Sequence, residues 1–103
     1  MSVTMRIIQQ FDSPNEAEFM DLEGKFAALE RRRPDYPKGK RMQPISGELP
    51  CNTFIWQCEF PDIQSAYDAL DFFHGDDEHE ALFAKQGPLI RDVRIEFYRN
   101  LES

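Results

Sequence analysis

Cysteine is scarce in this chain of 103 residues, with only Cys51 and Cys58 present. Two are too few for a disulfide framework. Their odd separation directs them to opposite faces of any shared strand, which opposes an intrachain bridge. C-x6-C is not an established zinc spacing either. Both are expected to be reduced thiols, Cys58 buried as a small hydrophobe and Cys51 near a loop, as suits a cytoplasmic protein. Basic residues are also short: 12 Lys and Arg against 19 Asp and Glu leave a net charge of −7. That excludes the broad basic surface of a nucleic-acid binder. No apolar run approaches the ~20 residues of a membrane span, and no charged and then apolar leader opens the chain. Phosphate loops, nucleophile–base signatures, internal repeats, low-complexity tracts and interdomain linkers are all missing, so one domain over residues 1–103 is expected.

What is present is patterned. Residues 3–12 alternate, with Val3, Met5, Ile7 and Phe11 on one face and Thr4, Arg6, Ile8 and Gln10 on the other, as in a strand with one dry side. Ser13-Pro14-Asn15-Glu16 reads as a capped helix start. Phe19, Leu22, Phe26 and Leu29 then follow at helical spacing to about Arg32, where Pro34 and Pro37 stop the helix. Residues 40–48 suggest a short edge strand, since proline is tolerated there. Residues 53–60 alternate again, Phe54, Trp56, Cys58 and Phe60 opposite Thr53, Ile55, Gln57 and Glu59. Asp62 opens a helix with Ile63, Ala66, Tyr67, Leu70 and Phe73 on one side, ending at Gly75. Asp77-x-x-Glu80 caps a further short helix bearing Leu82 and Phe83, which stops at Gly87-Pro88. Residues 92–101 form the last strand, Val93, Ile95, Phe97 and Leu101 facing away from Arg94, Glu96, Tyr98 and Asn100.

The order strand–helix–strand–strand–helix–strand is the split βαβ of an α+β, ferredoxin-like βαββαβ fold. Two amphipathic helices on one face of a four-stranded antiparallel sheet satisfy every apolar stripe at once. Trp56 is then a core residue facing the helices. The first strand is central, and the second sheet face gathers polar residues around Ile8, Ile55 and Tyr98, which a lone sheet would expose together.

Over residues 39–90 the chain resembles the NIPSNAP-like members of the dimeric α/β-barrel superfamily. A turn with Gly47, Leu49 and Asn52 leads into a strand carrying Trp56; an acidic turn (Asp76, Asp77) and a short helix ending in Gly87-Pro88-Leu89 come later. The resemblance implies a homodimer, two sheets facing each other across a dyad. Such barrels host monooxygenases, haem-handling enzymes, isomerases and proteins without known activity, so membership leaves the chemistry open.

On the second sheet face, Arg6, Gln10, Gln57, Glu59, Arg94, Glu96 and Tyr98 are candidate ligand-binding residues. An arginine in a partly dry cavity can hold a carboxylate or enolate, and a neighbouring glutamate or tyrosine can move a proton. A cross-strand ion-pair ladder, with Arg6 near Glu96, accounts for the same residues. His74 and His79, with acids between them, could hold a metal; solvated helix-cap positions explain them better. Seven bases lie between Lys25 and Arg41 and eight acids between Glu59 and Glu80. Helix dipoles account for much of this, and an anion-binding or partner-docking loop at 31–41 is the sharper alternative. Three functions remain in play. One is a homodimeric barrel binding or transforming a small, partly apolar organic molecule over the sheet, with no cofactor or metal required. The others are a non-catalytic interaction module and a cofactor-free monooxygenase-like enzyme.

Overall fold

Strand β1 (Val3–Phe11) is the spine of a four-stranded antiparallel sheet in the computed structural model, which describes residues 1–101. It lies between β3 (Thr53–Phe60) and β4 (Ile90–Arg99), and the three-residue β2 (Lys40–Met42) extends β3 outward, giving the order β2-β3-β1-β4. Opposed pairs share a face, so Ile7 with Trp56 and Ile95 looks to the helices, and Arg6 with Gln57 and Glu96 looks away. Helices α1 (Glu16–Arg32), α2 (Ile63–Gly75) and α3 (Asp77–Gln86) complete an α+β ferredoxin-like fold.

The apolar stripes condense as expected on the helix side. Met5, Phe11 and Phe19 are fully buried, Phe11 and Phe19 stack 4.7 Å apart, and Phe54 meets Phe19 edge-on at 5.7 Å. Trp56 is buried there and meets Phe73 edge-on at 5.8 Å. The sheet register shifts between Gln10 and Phe11. Asn52 holds that irregular end, its amide donating to the Phe11 carbonyl at 2.6 Å and its carbonyl accepting from the Phe11 amide at 3.0 Å.

Several boundaries move. Ser13–Asn15 forms a 3-10 turn, so α1 starts at Glu16 and the expected serine cap is not made. The edge strand expected over 40–48 ends at Met42. Pro44 has no N–H for a ladder, and the Gln43 side chain instead donates to the Cys51 carbonyl at 2.9 Å. The loop then turns at Gly47, whose φ of 130° favours glycine. The third helix is ten residues long and capped by Asp76 rather than Asp77, and the last strand covers 90–99. Ile63 and Tyr67 of α2 are exposed, Tyr67 lying against Phe97 at the sheet margin.

Three of the basic residues around the end of α1, Arg32, Arg33 and Lys38, make contacts within the chain. Arg33 pairs with Asp76 at 2.6 Å and Asp35 at 2.8 Å, and lies over the rings of Tyr36 and Phe72. Arg32 pairs with Glu78, and Lys38 donates to the carbonyls of Glu30 and Arg33, closing the C-terminal end of α1. Asp76 therefore both caps α3, accepting from the His79 amide at 3.0 Å, and anchors Arg33. Its burial would raise the carboxyl pKa, but the His79 amide and Arg33 outweigh it and hold the group below the ordinary carboxylate value. A depressed folded pKa means stability present above the unfolded value and lost as pH falls through the folded one. Asp76→Ala should cost about 0.5–2 kcal/mol at neutral pH as a lost cap. It should also flatten the fall in urea midpoint below about pH 4, and an unchanged acid limb would refute the assignment.

Candidate functional site

A cavity of about 260 Å³ opens between the helix-facing side of the sheet and the three helices. Ile7, Phe54, Trp56, Val93 and Ile95 form its sheet side; Phe26 of α1, Leu70 and Phe73 of α2 and Phe83 of α3 supply more apolar wall. It exists because α2 and α3 leave the outer strand partly uncovered. Val93 and Ile95, expected in the core, are 45% and 43% exposed, and Phe83 is 39% exposed.

Polar groups gather on the α1 side. Glu23 and Glu30, seven residues apart on one helix face, are 7% and 6% exposed. Arg41 reaches them from β2, because its register partner is Trp56 and both therefore look to the helices. Its Nε donates to Glu23 Oε2 at 2.9 Å, and its Nη1 spans both oxygens of Glu30 at 3.3 Å. Trp56 Nε1 donates to Glu30 Oε1 at 3.1 Å, and Gln86 Nε2 to Glu23 Oε1 at 3.1 Å. Buried carboxylates must be paired and hydrogen-bonded, and these are, by residues from β2, β3 and α3. Tyr36 adds a buried phenol whose hydroxyl has no hydrogen-bond partner among the described residues. Its burial first, then the nearby Asp76 charge, pushes its pKa well above the ordinary tyrosine value.

His79 is not the solvated cap residue expected. It stacks on Phe73 at 4.9 Å, lies 5.1 Å from the Phe26 ring and meets Glu80 Oε1 through Nδ1 at 3.1 Å, lining the cavity. The described residues contain no group of three or more His, Cys, Asp or Glu that could hold a metal. Cys51 is exposed and Cys58 buried, both free; burial pushes the Cys58 thiol up to about 11.

The residues singled out from sequence lie on the opposite side of the sheet. Arg6 sits directly across from Gln57 and Glu96, while Gln10 and Glu59 fall toward opposite ends of that face. The Arg6 guanidinium lies 5.8 Å from the Tyr98 ring centroid, and Tyr98 donates its hydroxyl to Glu96. Arg94 and Tyr98 are exposed. The expectation that Ile8, Ile55 and Tyr98 would be bared together fails for the two isoleucines, which pair across β1 and β3 and are each 5% exposed.

No family model and no curated protein sequence matches the chain. Solved structures do. It is similar to a NIPSNAP family protein from Agrobacterium tumefaciens, at TM-score 0.81 and 11% identity over 98% of this chain and 87% of that one. An uncharacterized NIPSNAP-like domain protein from Burkholderia xenovorans gives 0.80 and 14% over 97% and 85%. Below these comes SnoaB, a cofactor-independent oxygenase from Streptomyces nogalater, at 0.65 and 14% over 99% and 95%. The fold is thus the ferredoxin-like arrangement of NIPSNAP and monooxygenase-type barrel proteins.

Gly39 sets the position of the indole at the cavity's edge, since a Cβ there would overlap the Trp56 ring. Gly39→Ala is expected to cost about 1–3 kcal/mol as overpacking and to shift the emission of Trp56, the single tryptophan. An unchanged spectrum and urea midpoint would show that the loop yields instead.

Proposed function

We propose that this chain binds a small, partly apolar organic molecule in the cavity between sheet and helices. The observation that carries this reading is an open cavity with apolar walls and a few converging polar groups, the usual make-up of a ligand site. Its 260 Å³ exceeds the 150 Å³ that suffices for benzene in a dry engineered cavity. A cytoplasmic address fits two free thiols. Transformation of the ligand is supported by fold likeness to an oxygenase alone.

The test is a thermal-shift screen of small aromatic and alicyclic compounds. A ligand at 100 times its Kd adds about 2.7 kcal/mol, roughly 11–20 °C for a domain of this size. Ile95→Trp, at the half-open mouth, should abolish the shift while the protein stays folded. A shift that survives that change would place the ligand elsewhere, the second sheet face first.

A homodimer packed through that second face is also proposed. Buried Arg6 Nε has no hydrogen-bond partner among the described residues, and Tyr98 is 44% exposed beside it. A facing copy would supply an acceptor and cover the ring. Arg6, Gln10, Gln57, Glu59, Arg94, Glu96 and Tyr98 would then line the space between the sheets, as candidate contacts for a ligand held there. Sedimentation at micromolar concentration should give twice the chain's 12.1 kDa; a monomer mass would refute the dimer.

A further inference from the structure

We infer that the molecule taken by the helix-side cavity is an organic cation, an alkylammonium with an apolar body. The inference rests on the small-molecule reading of that cavity and adds the ligand's charge. Two independent features of the lining carry it. The first is a surplus of carboxylate. Glu23, Glu30 and Glu80 line the cavity against a single guanidinium, Arg41, with His74, His79 and Tyr36 completing the titratable lining. Glu23 and Glu30 are more than nine-tenths buried, so their charge is poorly screened by water. Each of their oxygens accepts from Arg41, Trp56 or Gln86, yet a carboxylate offers about four lone-pair sites and capacity remains. A bound ammonium would supply the missing positive charge, whereas a bound carboxylate would add to the excess.

The second feature is aromatic. Phe26, Tyr36, Phe54, Trp56, Phe73 and Phe83 line the same space, and ring faces attract cations, most strongly when desolvated. The Tyr36 hydroxyl lacks a hydrogen-bond partner among the described residues, and burial keeps it protonated, leaving a neutral oxygen able to accept an ammonium N–H. Aromatic walls alone would suit any flat apolar molecule. Carboxylates alone would suit any cation, hydrated metal ions included. Together they select an organic ammonium.

Three rigid probes of one shape separate the possibilities: 1-adamantylammonium, 1-adamantanol and adamantane-1-carboxylate. None absorbs where Trp56 is excited, so the single tryptophan at the cavity reports their binding directly. The ammonium is expected to bind at least tenfold more tightly than the alcohol, and the carboxylate most weakly. Glu30→Gln should bring ammonium and alcohol to within about threefold of each other. Should that variant fail to fold, the order of the three probes on the unaltered protein decides the matter. Alcohol binding with the ammonium equal or weaker would overturn the inference and leave the small-molecule reading standing, as would a preference for the carboxylate. Failure of all three to bind at millimolar concentration, with no ligand found by the thermal-shift screen, would overturn both.

Discussion

Everything around the cavity depends on one guanidinium holding two buried carboxylates. Arg41 comes from the shortest strand in the sheet, and without its bonds to Glu23 and Glu30 that strand would have only a three-residue ladder against β3. Through Trp56 and Gln86 the same two glutamates fasten β3 and α3 to α1. An apolar cluster of similar volume would join these elements at least as strongly, because buried ion pairs are often no better than well-packed hydrocarbon for stability. What hydrocarbon cannot supply is a fixed polar field beside an open space. The bridge therefore adds a fixed polar field to the cavity wall, and the surrounding core sustains it, with Phe19, Phe11 and Phe54 providing the packing from below.

The fold was legible because period and punctuation agree along most of the chain. Phe54, Trp56 and Cys58 alternate cleanly, and Phe19, Leu22, Phe26 and Leu29 recur at helical spacing; each set lies buried in the predicted layer. Where punctuation was local and ambiguous, the ends shifted. Ser13 looked like a cap, but the backbone there winds into a tighter turn before α1 begins. Likewise Asp76 and Asp77 are equivalent on paper, and only the approach of Arg33, from a residue remote in sequence, shows which one turns inward.

The site was much less legible, for a physical reason. Glutamates on a helix are ordinarily solvated, so residue type alone does not single out Glu23 and Glu30, even though they continue the stripe formed by 19, 22, 26 and 29. A signal existed in that spacing: carboxylates falling inside an apolar stripe imply a buried cation, and the one that serves, Arg41, lies well beyond the helix. His79 was missed similarly, since its place near a helix start hides its stacking on Phe73, a residue of the preceding helix. The visible signal lies on the other sheet face, where charged residues alternate with apolar ones. The structure brings Arg6, Gln57, Glu96 and Tyr98 near one another there and spreads Gln10 and Glu59 to opposite ends.

Strand β4 closes the sheet on one side over ten residues, hydrogen-bonded only to β1. A long free edge with Val93 and Ile95 half in water is the kind of template on which unfolded or foreign chains add strands and fibrils begin. Arg91, Asp92, Arg94, Glu96 and Arg99 interrupt that edge with charge at nearly every other step, and a misregistered neighbour would set like charges against one another. The strand that leaves the cavity open is thus also guarded against aggregation, and an accessible cavity need not bring colloidal instability with it.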